Sequence, residues 1–461
     1  MLILLLLASF TAQSLALPST LTHYTKRDGP GGHSKDEPGM AGMDHSGMSG
    51  GGMSGGGMAG GLADILLQSP YTQKLLNMVV GVFPVMKTAK SDLNMPSTFK
   101  RQGAKKANIR FGPFDIVDAK TRAKTKNPSL LAMDPGGTSF MNKITDFPKD
   151  ISLLDAVVKL VYEDGSPAAV ANGIYNHHVA FLNTAKLPPA MAACPGQAAK
   201  LGVPVSVFVA TGEDGNSYNY TPDLPGFNSG YYIGPNDGIA VLAEIVNYTN
   251  ETKKVYASVD YNYVSGKPKY DVSSVTLSVT QCNSNANVGI KPEKGQMVFG
   301  MASKNMTVQM DGYIFAVRGH LHDGGDYVGL EVNGKPVCKS KAIYGGKEGT
   351  SAAGDWQTVS DMSTCKDPVP VKKGDLLVVN AKYDLKSHPA RSHSGGGEAE
   401  EMGLAMFTFA TTTDSGKSAP ATPSAPALSA PNSSASSAGD GGLGSLLSSA
   451  IGGIFGASRP V

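Results

Sequence analysis

The stretch GIAVLAEIVNYTNETKKVYASVDYNYV, residues 238–264, sets the fold class. Two runs rich in Val, Ile, Ala and Tyr flank a short cluster of Asn, Thr and Glu, which reads as strand, turn and strand. The same texture begins near residue 108 with NIRFGPFDIV and continues through SLLDAVVKLVYEDG, VPVSVFVAT, SSVTLSVTQ, GYIFAVRGHLH, VGLEVNG, DLLVVNAKYD and MGLAMFTFAT. Short strands punctuated by Gly, Pro, Asn and Asp predict an all-β protein. The number of runs fits two tandem β-sandwich domains, 108–275 and 276–411.

Outside that core the texture changes. LADILLQSPYTQKLLNMVVGVF (62–83) has apolar residues at helical spacing with Pro70 in the middle, so 62–107 is expected to hold short helices and a linker. Residues 17–61 carry Met40, Met43, His45, Met48, Met53 and Met58 on a glycine-rich background, a disordered segment whose thioethers and imidazole suit Cu(I) or a plain flexible linker. The tail 412–461, rich in Ser, Ala and Pro, cannot build a core.

The chain opens with an apolar run ending in Ser14-Leu15-Ala16, a small-x-small pattern that reads as a signal peptide over 1–16. Lys26-Arg27 is either a dibasic processing site or part of a basic surface loop. No later stretch is apolar enough to span a bilayer. Near the end LGSLLSSAIGGIFGA (443–457) is interrupted by Gly and Ser and followed by Arg459, so a GPI anchor is not the expected reading. The protein is expected to be secreted, extracellular or in a cell wall. Charged residues make up 17% and the formal net charge is +2, a balance that argues against a nucleic-acid partner.

Four cysteines in a secreted chain imply two disulfides with three connectivities. Local closure favours Cys194 with Cys282 and Cys338 with Cys365, one staple for each folding unit. Sequons at Asn219, Asn247, Asn250, Asn305 and Asn432 agree with a secretory route.

Nine histidines occur and most are grouped. His320 and His322 form His-x-His, and residues i and i+2 of a strand share a face, which makes a two-ligand metal site. The adjacent pair His177-His178 would be thrown to opposite faces by a regular strand, so joint ligation there requires a bulge or a strand end. Alternation through MGLAMFTFAT sets Met402, Leu404 and Met406 on one face. Two imidazoles and a thioether, His320, His322 and Met402, make a donor set for copper. His388 and His393 lie in a loop-like stretch and are read as loop or supporting residues.

The ordered series YNHH (175–178), RGHLHDGG (318–325), VCKSKAIYGGKEG (337–349), MSTC (362–365), NAKYD (380–384) and EEMGLAMF (400–407) resembles the stress-upregulated Nod19 family. The order of an HH pair, an H-x-H and a late Met is also similar to the copper type II, ascorbate-dependent monooxygenases, which include peptidylglycine α-hydroxylating monooxygenase. That resemblance covers about 108–411. It implies two jelly-roll domains facing a cleft, each holding one copper. His320, His322 and Met402 would bind the copper that meets O2, and His177 and His178 the electron-transfer copper re-reduced by ascorbate. It places Arg318 where a substrate carboxylate is bound, and a surface arginine is the alternative. Asn247 stands where a third histidine is expected, and Met406 where a tyrosine is expected. A C–H hydroxylating monooxygenase acting on a small-molecule or peptide substrate, a copper-buffering protein and a metal-free stress or wall glycoprotein all follow from this pattern.

Overall fold

The computed structural model describes residues 80–412 except 125–133, 135, 198–204, 216, 223–225, 283–288, 291, 352–353, 355 and 392–400. The signal peptide, the Met-rich segment, Lys26-Arg27, the C-terminal tail, nearly all of the predicted helical stretch, His393 and Asn432 lie outside these residues.

The described chain is mostly β. One sheet runs in the order Val85–Met86, Gly137–Ile144, Ile239–Asn247, Ile174–Asn183 and Ser206–Thr211. A second runs Tyr270–Asp271, Ser229–Ile233, Ile151–Val161, Lys253–Ser265, Lys105–Ile116 and Thr88–Pro96, with Ser217–Asn219 beside Ile151–Val161. Their inward faces share a core that includes Phe111, Phe147, Phe181, Phe208, Tyr231 and Tyr261. The opening run thus folds as two strands of different sheets, Ile239–Asn247 and Lys253–Ser265, and the turn between them carries the chain across that core.

A third sheet orders Ser273–Ser278, Leu404–Thr411, Gly312–His320 and Thr364–Cys365, with Val369–Val371 also against Gly312–His320. The fourth orders Val359–Met362, Lys335–Tyr344, Gly325–Val332, Leu376–Asp384, Met306–Val308 and Ala192–Ala193, with Val298–Ala302 beside Leu376–Asp384. Leu330, Val379, Tyr383, Phe407 and Phe409 are among the residues that fill the core of this half.

Among the described residues strands begin at Val85, well before residue 108. Thr88–Pro96 is a polar edge strand exposed along most of its length, so it offers no apolar alternation to read. The expected boundary at 275/276 falls inside Ser273–Ser278, which pairs with Leu404–Thr411. Ala192–Ala193, from within 108–275, pairs with Met306–Val308 in the fourth sheet.

Both disulfides form as paired above, Cys194–Cys282 and Cys338–Cys365. They do not sit one in each half, because Cys282, Cys338 and Cys365 all pack in or against the later core and Cys194 follows Ala192–Ala193. The Cys194–Cys282 bridge closes 88 residues and Cys338–Cys365 closes 27. Loop-closure entropy then predicts a larger loss of stability when the first pair is changed to serine, roughly 4–5 against 3–4 kcal/mol. Guanidinium denaturation of the two double variants checks the order, and a reversed order would contradict it.

Candidate metal centre

The site begins with a one-residue irregularity. In the pairing of Ile174–Asn183 with Ile239–Asn247, His178 lies opposite Glu244 and Asn176 opposite Ile245, so His177 is an extra residue with no partner of its own. Before this bulge Ile174 faces the core and Tyr175 faces away; after it Val179 and Phe181 face the core while Ala180 and Leu182 face away. The extra residue changes the phase, and His177 and His178 both fall on the outward face. On the partner strand Val241, Ala243 and Ile245 are inward and Leu242 and Val246 outward, which puts Glu244 beside the two imidazoles.

His177, His178 and Glu244 each offer a donor atom, and these atoms lie within 4.8 Å of one another. Glu244 is fully buried, with Oε2 3.2 Å from His177 Nδ1 and 3.9 Å from His178 Nδ1. Its other oxygen accepts the Asp134 N–H at 2.9 Å. Burial raises the Glu244 pKa, but the two imidazoles and that N–H outweigh it and hold the carboxyl down at about 2. Burial lowers His178 to about 4, against the pull of Glu244. His177 Nδ1, though close to Glu244, has no aligned hydrogen-bond partner among the described residues.

A second bulge works in the other half. Phe315 pairs with Thr408 but Arg318 with Met406, so one residue is extra in Gly312–His320, where Ala316 has φ +52°. Tyr313 and Phe315 pack toward the first core and Ile314 and Val317 toward the second; beyond the bulge Arg318 and His320 reach the Gly212–Gly215 loop of the first half. The strand ends at His320, so His322 lies in the following turn and not on a regular strand.

The two histidine pairs meet. Ring centroids are 5.4 Å apart for His177–His178, 5.9 Å for His177–His322 and 5.6 Å for His320–His322. These ring contacts link imidazoles of both halves, while the donor atoms that all lie within 4.8 Å of one another among the described residues are those of His177, His178 and Glu244. Asp214 Oδ2 sits 2.8 Å from His320 Nδ1, so Nε2 is the ring nitrogen that could hold a metal. Burial lowers the His320 pKa, but Asp214 dominates and the net shift is upward. A Cβ on Gly212 would come 3.5 Å from His320 Cε1 and 3.0 Å from Asp214 Oδ1, so the loop is packed against the ring.

Met402 is buried just before Leu404–Thr411, outside the strand in which alternation placed it. His320 pairs with Leu404, and Tyr383 completes the approach: its hydroxyl donates to the Met402 carbonyl and accepts the N–H groups of Met402 and His322 at 3.0 and 3.2 Å. One phenol therefore ties the chain at Met402 to the chain at His322.

Other expected residues have different surroundings. Arg318 is buried, and its guanidinium donates to the carbonyls of Asp214, Gly215 and Met362 and to Asp361 at 2.8 Å. Asn247 has the opposite strand parity from Glu244 and is fully buried; its amide nitrogen donates to the carbonyls of Ile116 and Glu251. Asn250 and Asn305 are exposed and Asn219 is half-buried. His388 stacks on Tyr344 with ring centroids 3.5 Å apart. Met406 Sδ receives the Tyr218 hydroxyl at 3.9 Å. Glu244 was missed by sequence reasoning, although a lone carboxylate in the apolar run VLAEIV was a signal. Asp214 gave none.

Residues 245–399 match the family described as stress up-regulated Nod 19. Over that segment the chain is similar to the SURNod19 family. The matched segment holds His320 and His322 and ends before Met402. Two relatives are similar over 54% of this chain at 24% identity. One is the probable copper-dependent oxygenase M1 of a Phoma species, of which the match covers 60% of the length. The other is the probable copper-dependent oxygenase clz3 of Cochliobolus lunatus, of which it covers 75%. Among solved structures, a recombinant peptide:N-glycanase F aligns at 12% identity over 66% of this chain and 95% of its own, with a TM-score of 0.30.

The cluster predicts a sensitive neighbour. A Cβ on Gly137 would sit 2.3 Å from Glu244 Oε1, a distance the fixed carboxylate cannot accept. Gly137→Ala should displace Glu244, lower stability by about 1–3 kcal/mol and weaken metal binding. Thermal denaturation and metal titration of the variant read both effects, and wild-type behaviour in both would rule the contact out.

Proposed function

We propose that this chain is a secreted copper-dependent oxygenase-like protein in which two tandem jelly-roll sandwiches share one metal centre. The observation that carries the reading is the bulge at His177, which brings two adjacent imidazoles and Glu244 onto one face against His320 and His322. The donor chemistry fits copper: imidazoles, one buried carboxylate and, on the segment whose backbone Tyr383 ties to that of His322, the thioether of Met402. The buried His177 Nδ1 that lacks an aligned hydrogen-bond partner also fits a ligating role. The relatives' names and the SURNod19 match support the same assignment. Two disulfides agree with an oxidising, secretory compartment. Among the described residues no helix is long and apolar enough to cross a membrane.

His177, His178 and Glu244 would hold the metal from the first half, with His320, His322 and Met402 supplying donors from the second. Copper, when bound, supplies one-electron chemistry with O2 and an external reductant such as ascorbate, the chemistry of C–H hydroxylation. Asp214 fixes the ring orientation of His320 from behind, and Asp134 fixes Glu244. Arg318 positions this machinery, since its guanidinium clamps the carbonyls of Asp214 and Gly215 to Asp361 and Met362. A second reading, copper capture without turnover, is favoured by the burial of the first-half donors, with His177 only 7% exposed.

Anaerobic Cu(I) titration of wild type, His177→Ala and His320→Ala tests both readings. Tight binding lost in each variant, with ascorbate-dependent O2 uptake by the wild type, is the expected result. Binding without uptake would select capture, and no binding by the folded wild type would end the copper assignment.

A further inference from the structure

A groove opens where the two halves meet, away from the metal-binding side chains but separated from His177 by one residue. Its wall includes Trp356 and Gln357 from one half, Asn172 and Tyr248 from the other, and His388 and Arg391 from the segment before residue 392. Trp356 is the chain's one tryptophan. Its ring lies 5.9 Å from Tyr175 and 6.1 Å from Tyr248, and Tyr175 lies 6.2 Å from His177.

Arg391 gives the groove its polarity. The residue is only 7% exposed, and its guanidinium carbon sits 4.2 Å from the centre of the Tyr175 ring. One nitrogen, Nη1, donates to Asp134 Oδ2 at 2.7 Å and to the Tyr248 hydroxyl at 2.8 Å. The Nε and Nη2 edge has no hydrogen-bond partner among the described residues, although the side chain lines the groove. A buried guanidinium anchored through one nitrogen presents the remaining N–H groups as a planar fork, the geometry that grips a carboxylate through two parallel hydrogen bonds. No Asp or Glu is among the described lining residues. Asp134 and Asp323 lie behind it, the first under Arg391 and the second engaged by Trp356 Nε1, Thr358 and the Val359 N–H.

We propose that this groove binds a planar organic carboxylate, with the anionic group on the Nε–Nη2 edge of Arg391 and the flat apolar body against Trp356. The site needs no copper and stands or falls separately from the metal centre. Arg318, whose guanidinium is engaged by four protein groups, cannot take this role without breaking the Gly212–Gly215 clamp.

The sole tryptophan reports the binding directly. Benzoate titrated into the metal-free full-length protein should change Trp356 fluorescence saturably. Benzamide, the same shape without charge, should bind about tenfold or more weakly, as expected for loss of a charge-assisted pair. Arg391→Lys keeps the charge but loses the fork and should weaken benzoate while leaving benzamide unchanged. Because Arg391→Ala would strand a buried Asp134, the paired change Arg391→Met with Asp134→Asn is the safer deletion, and it should abolish the preference for benzoate. Equal binding of benzoate and benzamide, or no saturable response to benzoate up to about 10 mM in the folded protein, would overturn the proposal.

Discussion

A regular β-strand cannot aim two consecutive side chains at one point, and the candidate centre depends on how this chain escapes that rule. One extra residue, His177, shifts the phase of Ile174–Asn183 so that both histidines leave the same face. The core residues on either side obey ordinary alternation, which confines the irregularity to the centre. A bulge in Gly312–His320 performs the matching correction in the other half, allowing Phe315 and His320 to face the same way although their numbers differ in parity.

The surroundings then hold these side chains at fixed angles. Glu244 is gripped by the Asp134 N–H, His320 by Asp214, and the His322 and Met402 backbones by the Tyr383 hydroxyl. Asp134 also pairs with Arg391, so the support of Glu244 reaches across the two halves. A buried pair of this kind contributes little net stability but costs several kcal/mol if one partner is removed. Its consequence is positional: the late segment carrying Arg391 is tied to the sheet that carries Glu244.

Much of the fold was legible because alternation of apolar residues directly encodes which face of a strand is buried. Strands such as Ile239–Asn247 and Leu404–Thr411 announce themselves that way, whereas Thr88–Pro96 is an exposed edge with no such pattern. The disulfide pairing was readable from spacing, but the placement of Cys194 beside the later core was not, since it rests on the two-residue strand Ala192–Ala193. Within the site, the need for a bulge at His177-His178 was visible and its presence was not. Asn247 drew attention through the resemblance, yet parity puts it on the core side, and Glu244 occupies the face that matters. Contacts such as Asp214 with His320 join residues 106 positions apart, beyond the reach of local pattern.

The central claim is that histidines from both halves belong to one centre. Electron paramagnetic resonance of the protein loaded with Cu(II) tests it most directly when wild type is compared with His178→Ala and His322→Ala. A single shared centre predicts that either substitution alters the same copper spectrum, including its nitrogen splitting. Two independent signals, each abolished by one substitution and untouched by the other, would contradict it.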